Sequence, residues 1–154
     1  MDSFRLISGA QADYARCIDD GRLEEWPGFF EPDCLYRITT ADNHRQGYQA
    51  GIVHADSRGM LEDRVSALRE ANIYEQQTYR HILGMPAILS ESAGTVRSET
   101  PFLVVRIMHE GATKIFATGR YLDVYRMTES RASLAERIVV CDSSRIDTLL
   151  ALPL

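Results

Sequence analysis

The stretch REANIYEQQTYRHILGMP, residues 69–86, contains the residues of this chain that most resemble an acid–base site: Tyr74, Tyr79, Arg80 and His81. Histidine changes its charge near neutral pH, and it is the side chain most often used as a general base. Arginine and aromatic residues are also enriched where one subunit contacts another. The stretch therefore predicts either a catalytic base or a joint between two chains.

The rest of the sequence contains few residues arranged as a metal site or as a nucleophilic catalytic site would require. A histidine- and cysteine-ligated iron–sulfur cluster needs close Cys–His pairs, but no histidine lies within three positions of Cys17, Cys34 or Cys141. The four histidines are well separated, so no local pair of metal ligands exists. The chain also lacks a Gly-x-Ser-x-Gly elbow and a glycine-rich phosphate loop. These patterns predict no metal-binding or cofactor-binding residue and no catalytic nucleophile in this chain.

Acid–base chemistry remains open, because Asp13, Tyr14, Tyr36 and His81 could be brought together inside a curved sheet. The alternative is that these residues are structural. Tyr14 lies on the apolar stripe of the first helix, where tyrosine is mostly a core residue. His81 would then bind a carboxylate or a main-chain carbonyl.

Helical patterns dominate the first half of the chain. Ile7, Tyr14 and Cys17 recur at helical spacing, from a cap predicted at Ser3 to Gly21. LEEWPGFF predicts a short helical turn that turns its aromatic rings inward, and DCLYRITT predicts the first strand. ADNHRQGYQAG predicts a polar loop, and DSRGMLEDRVSALREAN predicts an amphipathic helix capped by Asp56 or Ser57.

Strand patterns fill the second half, from RHILGMPAILSES through TPFLVVRIMHEG and TKIFATGRYLDVYRM to LAERIVVCDSS. Turns are predicted at Ala93-Gly94, Glu110-Gly111 and Ser130. Long strands joined by short turns form an antiparallel meander, one face of which needs a cover. The predicted fold is α+β, with N-terminal helices packed on a long curved antiparallel sheet. Gly84 and Gly119 predict bulges that bend this sheet into a cone.

Composition indicates one domain spanning residues 1–154, with 45% hydrophobic and 25% charged residues. The net charge of −5 argues against nucleic acid and anionic membranes as partners. No apolar run reaches the roughly 20 residues that span a bilayer. An odd number of widely spaced cysteines and a first segment unlike a signal peptide predict a cytoplasmic location. The apolar ending SSRIDTLLALPL must pack on its own sheet or on a neighbouring subunit.

Three stretches together resemble a known family: DYARCIDDGRLEEWPGFFEPDCLYRITT, GIVHADSRGMLEDRVSALREANIYEQQTYRHILG and AERIVVCDSSRIDTLLALPL. They are similar to the small (β) subunit of aromatic-ring-hydroxylating oxygenases, the Rieske non-haem-iron enzymes. The resemblance runs from about residue 10 to the end of the sequence. It is strongest to members that act on aromatic carboxylates, of the salicylate 5-hydroxylase and terephthalate dioxygenase type.

The resemblance implies a cystatin-like cone of the ketosteroid-isomerase type and a supporting role in aromatic catabolism. In this family the large α subunit carries a [2Fe–2S] Rieske cluster and a mononuclear Fe(II), whereas the β subunit carries no cofactor. Three α and three β subunits assemble with β–β contacts, and ferredoxin or reductase components act on the complex. Kinship of fold with isomerases is not evidence of isomerase chemistry.

The family motif matches at Asp63, Arg64, Arg80 and His81, which with Tyr79 we predict to be structural or subunit-interface residues. Ion pairs and hydrogen bonds of these residues would hold the cone and its contacts. Two alternatives remain open. One is a stand-alone cone-fold dehydratase or isomerase with His81 as its base, and the other is a small-molecule binding module of the same fold.

Overall fold

A computed structural model describes residues 2–48, 51–71, 77–144 and 153–154. The elements in chain order are α1 Ser3–Asp19, a 3-10 helix Leu23–Phe29, β1 Phe30–Thr40, α2 Ala41–Arg45, β2 Val53–Ala55, α3 Arg58–Ala71, β3 Gln77–Leu83, β4 Ala87–Ser92, β5 Thr95–Met108, β6 Thr113–Met127 and β7 Ala132–Cys141. Tyr74 and most of the ending from residue 145 lie outside the described residues.

Helix α1 forms where the apolar stripe predicts it. Ile7, Tyr14 and Cys17 are buried along one face, and a left-handed glycine at position 21 with φ of 75° follows its end. The predicted cap was wrong by one residue. Asp2 caps the helix, since its Oδ1 accepts a hydrogen bond from the Arg5 N–H at 3.0 Å.

The seven strands form one sheet in the order β2-β1-β7-β6-β5-β3, with β4 pairing on β5. The predicted turns at Ala93-Gly94 and Glu110-Gly111 are confirmed: both join antiparallel neighbours, and both contain glycines with positive φ. The sheet is mixed, however, because β1 pairs with β7 in parallel. A local sequence pattern does not reveal this pairing, which joins strands about a hundred residues apart.

Helices α1 and α3 cover the sheet as predicted, α1 against β3 and β7, and α3 against β1 and β2. Ser57 caps α3, as its hydroxyl accepts a hydrogen bond from the Met60 N–H at 3.2 Å. The predicted polar loop was partly wrong. Its first residues form α2, capped by Thr40 and packed against β1 and β7.

The predicted bulges at Gly84 and Gly119 were wrong. The register between β5 and β6 shifts between Val104 and Val105, and the register between β6 and β7 shifts between Val124 and Tyr125. The two glycines are needed for close packing instead. A Cβ at Gly119 would lie 2.0 Å from the Val140 carbonyl oxygen, and one at Gly84 would lie 2.5 Å from Pro101.

The core lies between the sheet and the helices that cover it, and it is rich in aromatic residues. The largest fully buried apolar side chains include Trp26, Tyr14, Tyr36, Tyr121 and Tyr125. Most of their rings meet edge to face, as Trp26 does with Tyr36 at a centroid distance of 5.2 Å. In the described part of the chain no helix is long and apolar enough to cross a membrane.

We expect Gly119→Ala to lower the free energy of unfolding by about 1–3 kcal/mol or more, because the added methyl group overlaps the backbone of β7. Gly9→Ala is the matched control. Its Cβ meets nothing within 4 Å, so alanine should stabilise α1 by about 0.5–1 kcal/mol. Urea unfolding of both variants measures the difference. Equal stability of the two variants would contradict the packing described here.

Candidate functional site

His81 is held by Asp19, the last residue of α1. The imidazole Nδ1 lies 2.7 Å from Asp19 Oδ1, and the His81 main-chain N–H donates to Oδ2 at 2.8 Å. Strand β3 is the end strand of the sheet, so Asp19 satisfies a main-chain donor that a terminal strand leaves unpaired. One carboxylate thereby joins α1 to β3.

Among the described residues, the His81 imidazole is closed off from solvent. Its side chain is 0% exposed and the Asp19 side chain 3% exposed. A groove of about 430 Å³ runs between α1 and the link from β3 to β4. His81 is one of the residues that line this groove. Because its side chain is 0% exposed, it borders the groove with its main chain. A base needs to lie within hydrogen-bond reach of the proton it removes, so the geometry argues against a base. The contact that it does show lies within this chain, between α1 and β3.

Tyr79 and Arg80 point to opposite sides of β3. Tyr79 is 3% exposed and stacks on Phe116 with a centroid distance of 5.1 Å. Arg80 is 63% exposed and only approaches Asp19 Oδ2, at 3.8 Å. Tyr79 therefore packs within its own chain, whereas the Arg80 side chain is available to another molecule.

Asp63 and Arg64 do not pair with each other, because adjacent residues on a helix diverge. Asp63 is exposed, and no ion pair involving it occurs among the described residues. Arg64 is half-buried, and its charge acts on the Tyr36 hydroxyl. Burial raises the pKa of Tyr36 well above its usual value, and Arg64 partly opposes this effect.

The four residues considered for acid–base work are not brought together. Tyr14 and Tyr36 meet, since both hydroxyls donate to the main-chain oxygen of Leu154, at 2.8 and 3.1 Å. Asp13 instead is exposed and lies 4.0 Å from Arg16 on the surface of α1. His81 is bound to Asp19 as described above.

A buried ion pair in the cone was missed by the sequence analysis. Arg137 Nε and Nη2 each donate to a different oxygen of Asp123 at 2.8 Å, and both side chains are 0% exposed. Arg137 also donates to the Tyr125 hydroxyl at 3.2 Å. Gln11 of α1 binds Thr100 at 2.8 Å and approaches Asp123 at 3.5 Å. The network joins α1 to three strands.

A signal for this pair does exist in the sequence. Asp123 is two positions from both Tyr121 and Tyr125, so the three side chains share the inward-facing side of β6. Arg137 shares the inward-facing side of β7 with Val139 in the same way. Two opposite charges on the inward phases of neighbouring strands predict a buried pair. The register that places Asp123 opposite Arg137 is a tertiary property, however, and the alternation alone does not supply it.

Two tyrosine rings enclose the Arg137 guanidinium. Its central carbon lies 4.3 Å from the Tyr14 centroid and 3.8 Å from the Tyr121 centroid. Burial by itself would lower the pKa of Arg137, but the Asp123 carboxylate raises it well above the usual value. Burial raises the pKa of Tyr121 well above 10, although Arg137 opposes this rise. The cone therefore holds a permanent cation and neutral phenols.

The cysteines are buried and free of disulfides. Burial raises the thiol pKa of Cys17 to about 11 and that of Cys141 to about 12, so both are protonated at neutral pH and poor nucleophiles. Within the described ranges, no three His, Cys, Asp or Glu side chains cluster as metal ligands would.

The fold and its closed interior agree with what sequence comparison gives. The model of the ring hydroxylating beta subunit family matches residues 13–148. This chain belongs to that family of β subunits of aromatic ring dioxygenases, which are oxidoreductases of several components. A β subunit implies an α subunit as its partner.

Two relatives specify the similarity. The β 1 subunit of the terminal oxygenase component of terephthalate 1,2-dioxygenase from Comamonas sp. is 55% identical over 148 residues, 96% of each chain. The small subunit of anthranilate 1,2-dioxygenase from Burkholderia cepacia is 38% identical over 154 residues, 100% of this chain and 96% of that one.

Solved structures confirm the predicted fold class. The crystal structure of a candidate β subunit of an aromatic-ring-hydroxylating dioxygenase from Novosphingobium aromaticivorans has a TM-score of 0.91 at 36% identity, covering 99% of this chain and 97% of that one. A candidate scytalone dehydratase from the same species has a TM-score of 0.70 at 17% identity, covering 96% and 89%. The second likeness concerns the fold alone.

We expect Arg137→Met to cost about 3–5 kcal/mol, because Asp123 would remain as an uncompensated buried charge. The double variant Arg137→Met with Asp123→Leu should recover much of this loss. Arg120→Met is the matched control, since its pair with Glu99 at 2.9 Å is exposed and worth at most about 1 kcal/mol. Denaturant unfolding of the three proteins tests this. A double variant less stable than Arg137→Met would contradict the prediction.

Proposed function

We propose that this chain is the non-catalytic β subunit of a Rieske oxygenase that hydroxylates an aromatic carboxylate of the terephthalate or salicylate class. The 55% identity with a terephthalate 1,2-dioxygenase subunit across 96% of both chains supports this substrate class. The similarity to an anthranilate 1,2-dioxygenase subunit adds to it, because anthranilate and terephthalate are both benzene carboxylates.

The closed cone carries the non-catalytic assignment. The described residues fill it with aromatic rings and a neutralised ion pair, and the one candidate base, His81, is sealed behind Asp19. The [2Fe–2S] Rieske cluster and the mononuclear Fe(II) then belong to the α subunit. The described donors of this chain do not suit them, since the cysteines are buried thiols with no histidine close in sequence.

The proposed assembly contains three α and three β subunits with β–β contacts, and ferredoxin or reductase components supply its electrons. We place it in the cytoplasm, which agrees with three free cysteines. Asp63 and Arg80 are the predicted interface residues whose side chains are exposed. Tyr79 and His81 are buried and support the fold from within the chain. Arg64 is half-buried, so its burial is intermediate between the exposed and the buried predicted residues.

An apolar patch beside Arg80 is the proposed contact with the α subunit. This outer patch consists of Ile82, Leu103, Val105 and Ile115, on the face of β3, β5 and β6 that points away from α1. Ile82 lies opposite Leu103, and Val105 lies opposite both Arg80 and Ile115, so the side chains are neighbours on one face. Ile82 is 53% and Ile115 70% exposed. Exposed apolar side chains in a contiguous patch are typical of subunit contacts.

A stand-alone dehydratase or isomerase is the weaker alternative. It requires a cavity in which His81 reaches a substrate, and the burial of both His81 and Asp19 argues against that access.

We expect the purified chain alone to contain no iron and to turn over no aromatic acid. Together with its α subunit it should form a complex that oxidises the aromatic carboxylate, because the reactive iron lies in the partner. Metal analysis and product formation measure this, with the α subunit alone as the control. Stoichiometric iron or turnover in the isolated chain would overturn the proposal.

We expect Ile82→Asp to weaken binding of the α subunit at least about tenfold, since a carboxylate would be buried in an apolar contact. Phe4→Asp is the matched control: it places the same charge at a 42% exposed apolar position on α1. Retention of α on tagged β measures binding, and thermal midpoints check folding. Unchanged retention in Ile82→Asp, or loss of β–β association alone, would contradict the assignment of the patch to α.

A further inference from the structure

The interior of the cone holds Leu154 in the way that a binding site holds a ligand. Leu154 is 0% exposed and lies outside the helices and strands. Its main-chain oxygen accepts hydrogen bonds from Tyr14 at 2.8 Å and Tyr36 at 3.1 Å, and its N–H donates to the Tyr36 hydroxyl at 3.2 Å. Two tyrosines, one on α1 and one on β1, thus bind both polar groups of a single residue.

The cone interior that holds Leu154 also contains unused hydrogen-bonding capacity. The Nη1 atom of Arg137 and the hydroxyl of Tyr121 are buried without a hydrogen-bond partner among the described residues. The Arg137 guanidinium lies over the Tyr14 ring, and its N–H groups help to lower the pKa of the Tyr14 hydroxyl, although burial raises it overall. Buried polar atoms are rarely left unpaired, so unused capacity here is typical of a site that can take an oxygen-rich group.

The rest of the enclosure is apolar and aromatic. Trp26 and Phe30 are fully buried against Tyr36, at centroid distances of 5.2 and 5.7 Å. Small-molecule sites in proteins combine apolar and aromatic walls of this kind with a few convergent polar groups.

We propose that the cone interior is a small-molecule site which Leu154 occupies, and that a short branched carboxylate fits it once Leu154 is removed. The apolar tail of such a molecule replaces the isobutyl side chain, and its carboxylate takes the hydrogen bonds that Tyr14 and Tyr36 give to Leu154. In the intact chain Leu154 excludes such molecules. This inference does not depend on the identity of the oxygenase substrate.

The test uses a variant that lacks Pro153 and Leu154, with 4-methylpentanoate as the probe. We expect the thermal midpoint of the variant to fall by several degrees and to rise again, saturably, with a dissociation constant on the order of 1 mM. The intact chain should show no saturable shift, and acetate, which has the carboxylate without the tail, should stabilise neither protein.

Matched tyrosine variants separate recognition from simple filling of a void. In the shortened chain, Tyr14→Phe with Tyr36→Phe should weaken the probe at least about fivefold, which corresponds to the loss of hydrogen bonds to a charged group. Tyr48→Phe should leave it unchanged, because Tyr48 is 57% exposed. A folded shortened chain without a saturable shift would overturn the proposal, and so would equal binding in the two tyrosine variants.

If the shortened chain does not fold, Leu154→Ala decides the question, since it keeps the main-chain hydrogen bonds and removes only the apolar tail. Saturable stabilisation of Leu154→Ala by benzene, which occupies leucine-sized cavities in protein cores, would support an enclosed site at this position. Absence of that stabilisation would overturn it.

Discussion

The pairing of Arg137 with Asp123 is the interaction on which the rest of the structure depends. Removing two charges from water is costly, and the cost is repaid only when geometry and additional hydrogen bonds are favourable. Here two 2.8 Å hydrogen bonds, the Tyr125 hydroxyl and two enclosing aromatic rings meet that condition. Because Gln11 approaches the same carboxylate, the pair also sets how α1 lies on the sheet. Among the described residues, the cation is therefore enclosed by its partners, with its side chain 0% exposed.

Two residues that look catalytic by type are buried in a contact within the chain. His81 and Asp19 have the composition of a catalytic dyad, but their burial makes them a joint between α1 and the last strand of the sheet. This burial is the reason for the proposal that the chemistry takes place on the α subunit. The opposite face of β3, β5 and β6 carries exposed apolar side chains, Ile82 and Ile115 among them.

Much of the fold could be predicted from the sequence because its signals are local. The stripe on α1 and the turns at Ala93-Gly94 and Glu110-Gly111 follow from helical spacing and from the backbone freedom of glycine. The parallel pairing of β1 with β7 could not be predicted, since strands distant along the chain meet only in the folded state. Gly119 was recognised as unusual, but its reason, the 2.0 Å approach of a Cβ to Val140, is a tertiary contact. Residue type left the role of His81 open, and the 0% exposure of its side chain is a tertiary property that argues against a catalytic base.

Hydrogen–deuterium exchange on the isolated chain and on its complex with the α subunit tests the central claim most directly, that a preformed rigid cone meets its partner through an outer face. The account predicts that α1 and the inward-facing core segments of β6 and β7 are equally protected in both states. It predicts that additional protection in the complex is concentrated on β3 and on the neighbouring ends of β5 and β6. A core that becomes protected only in the complex, or an unchanged β3, would contradict it.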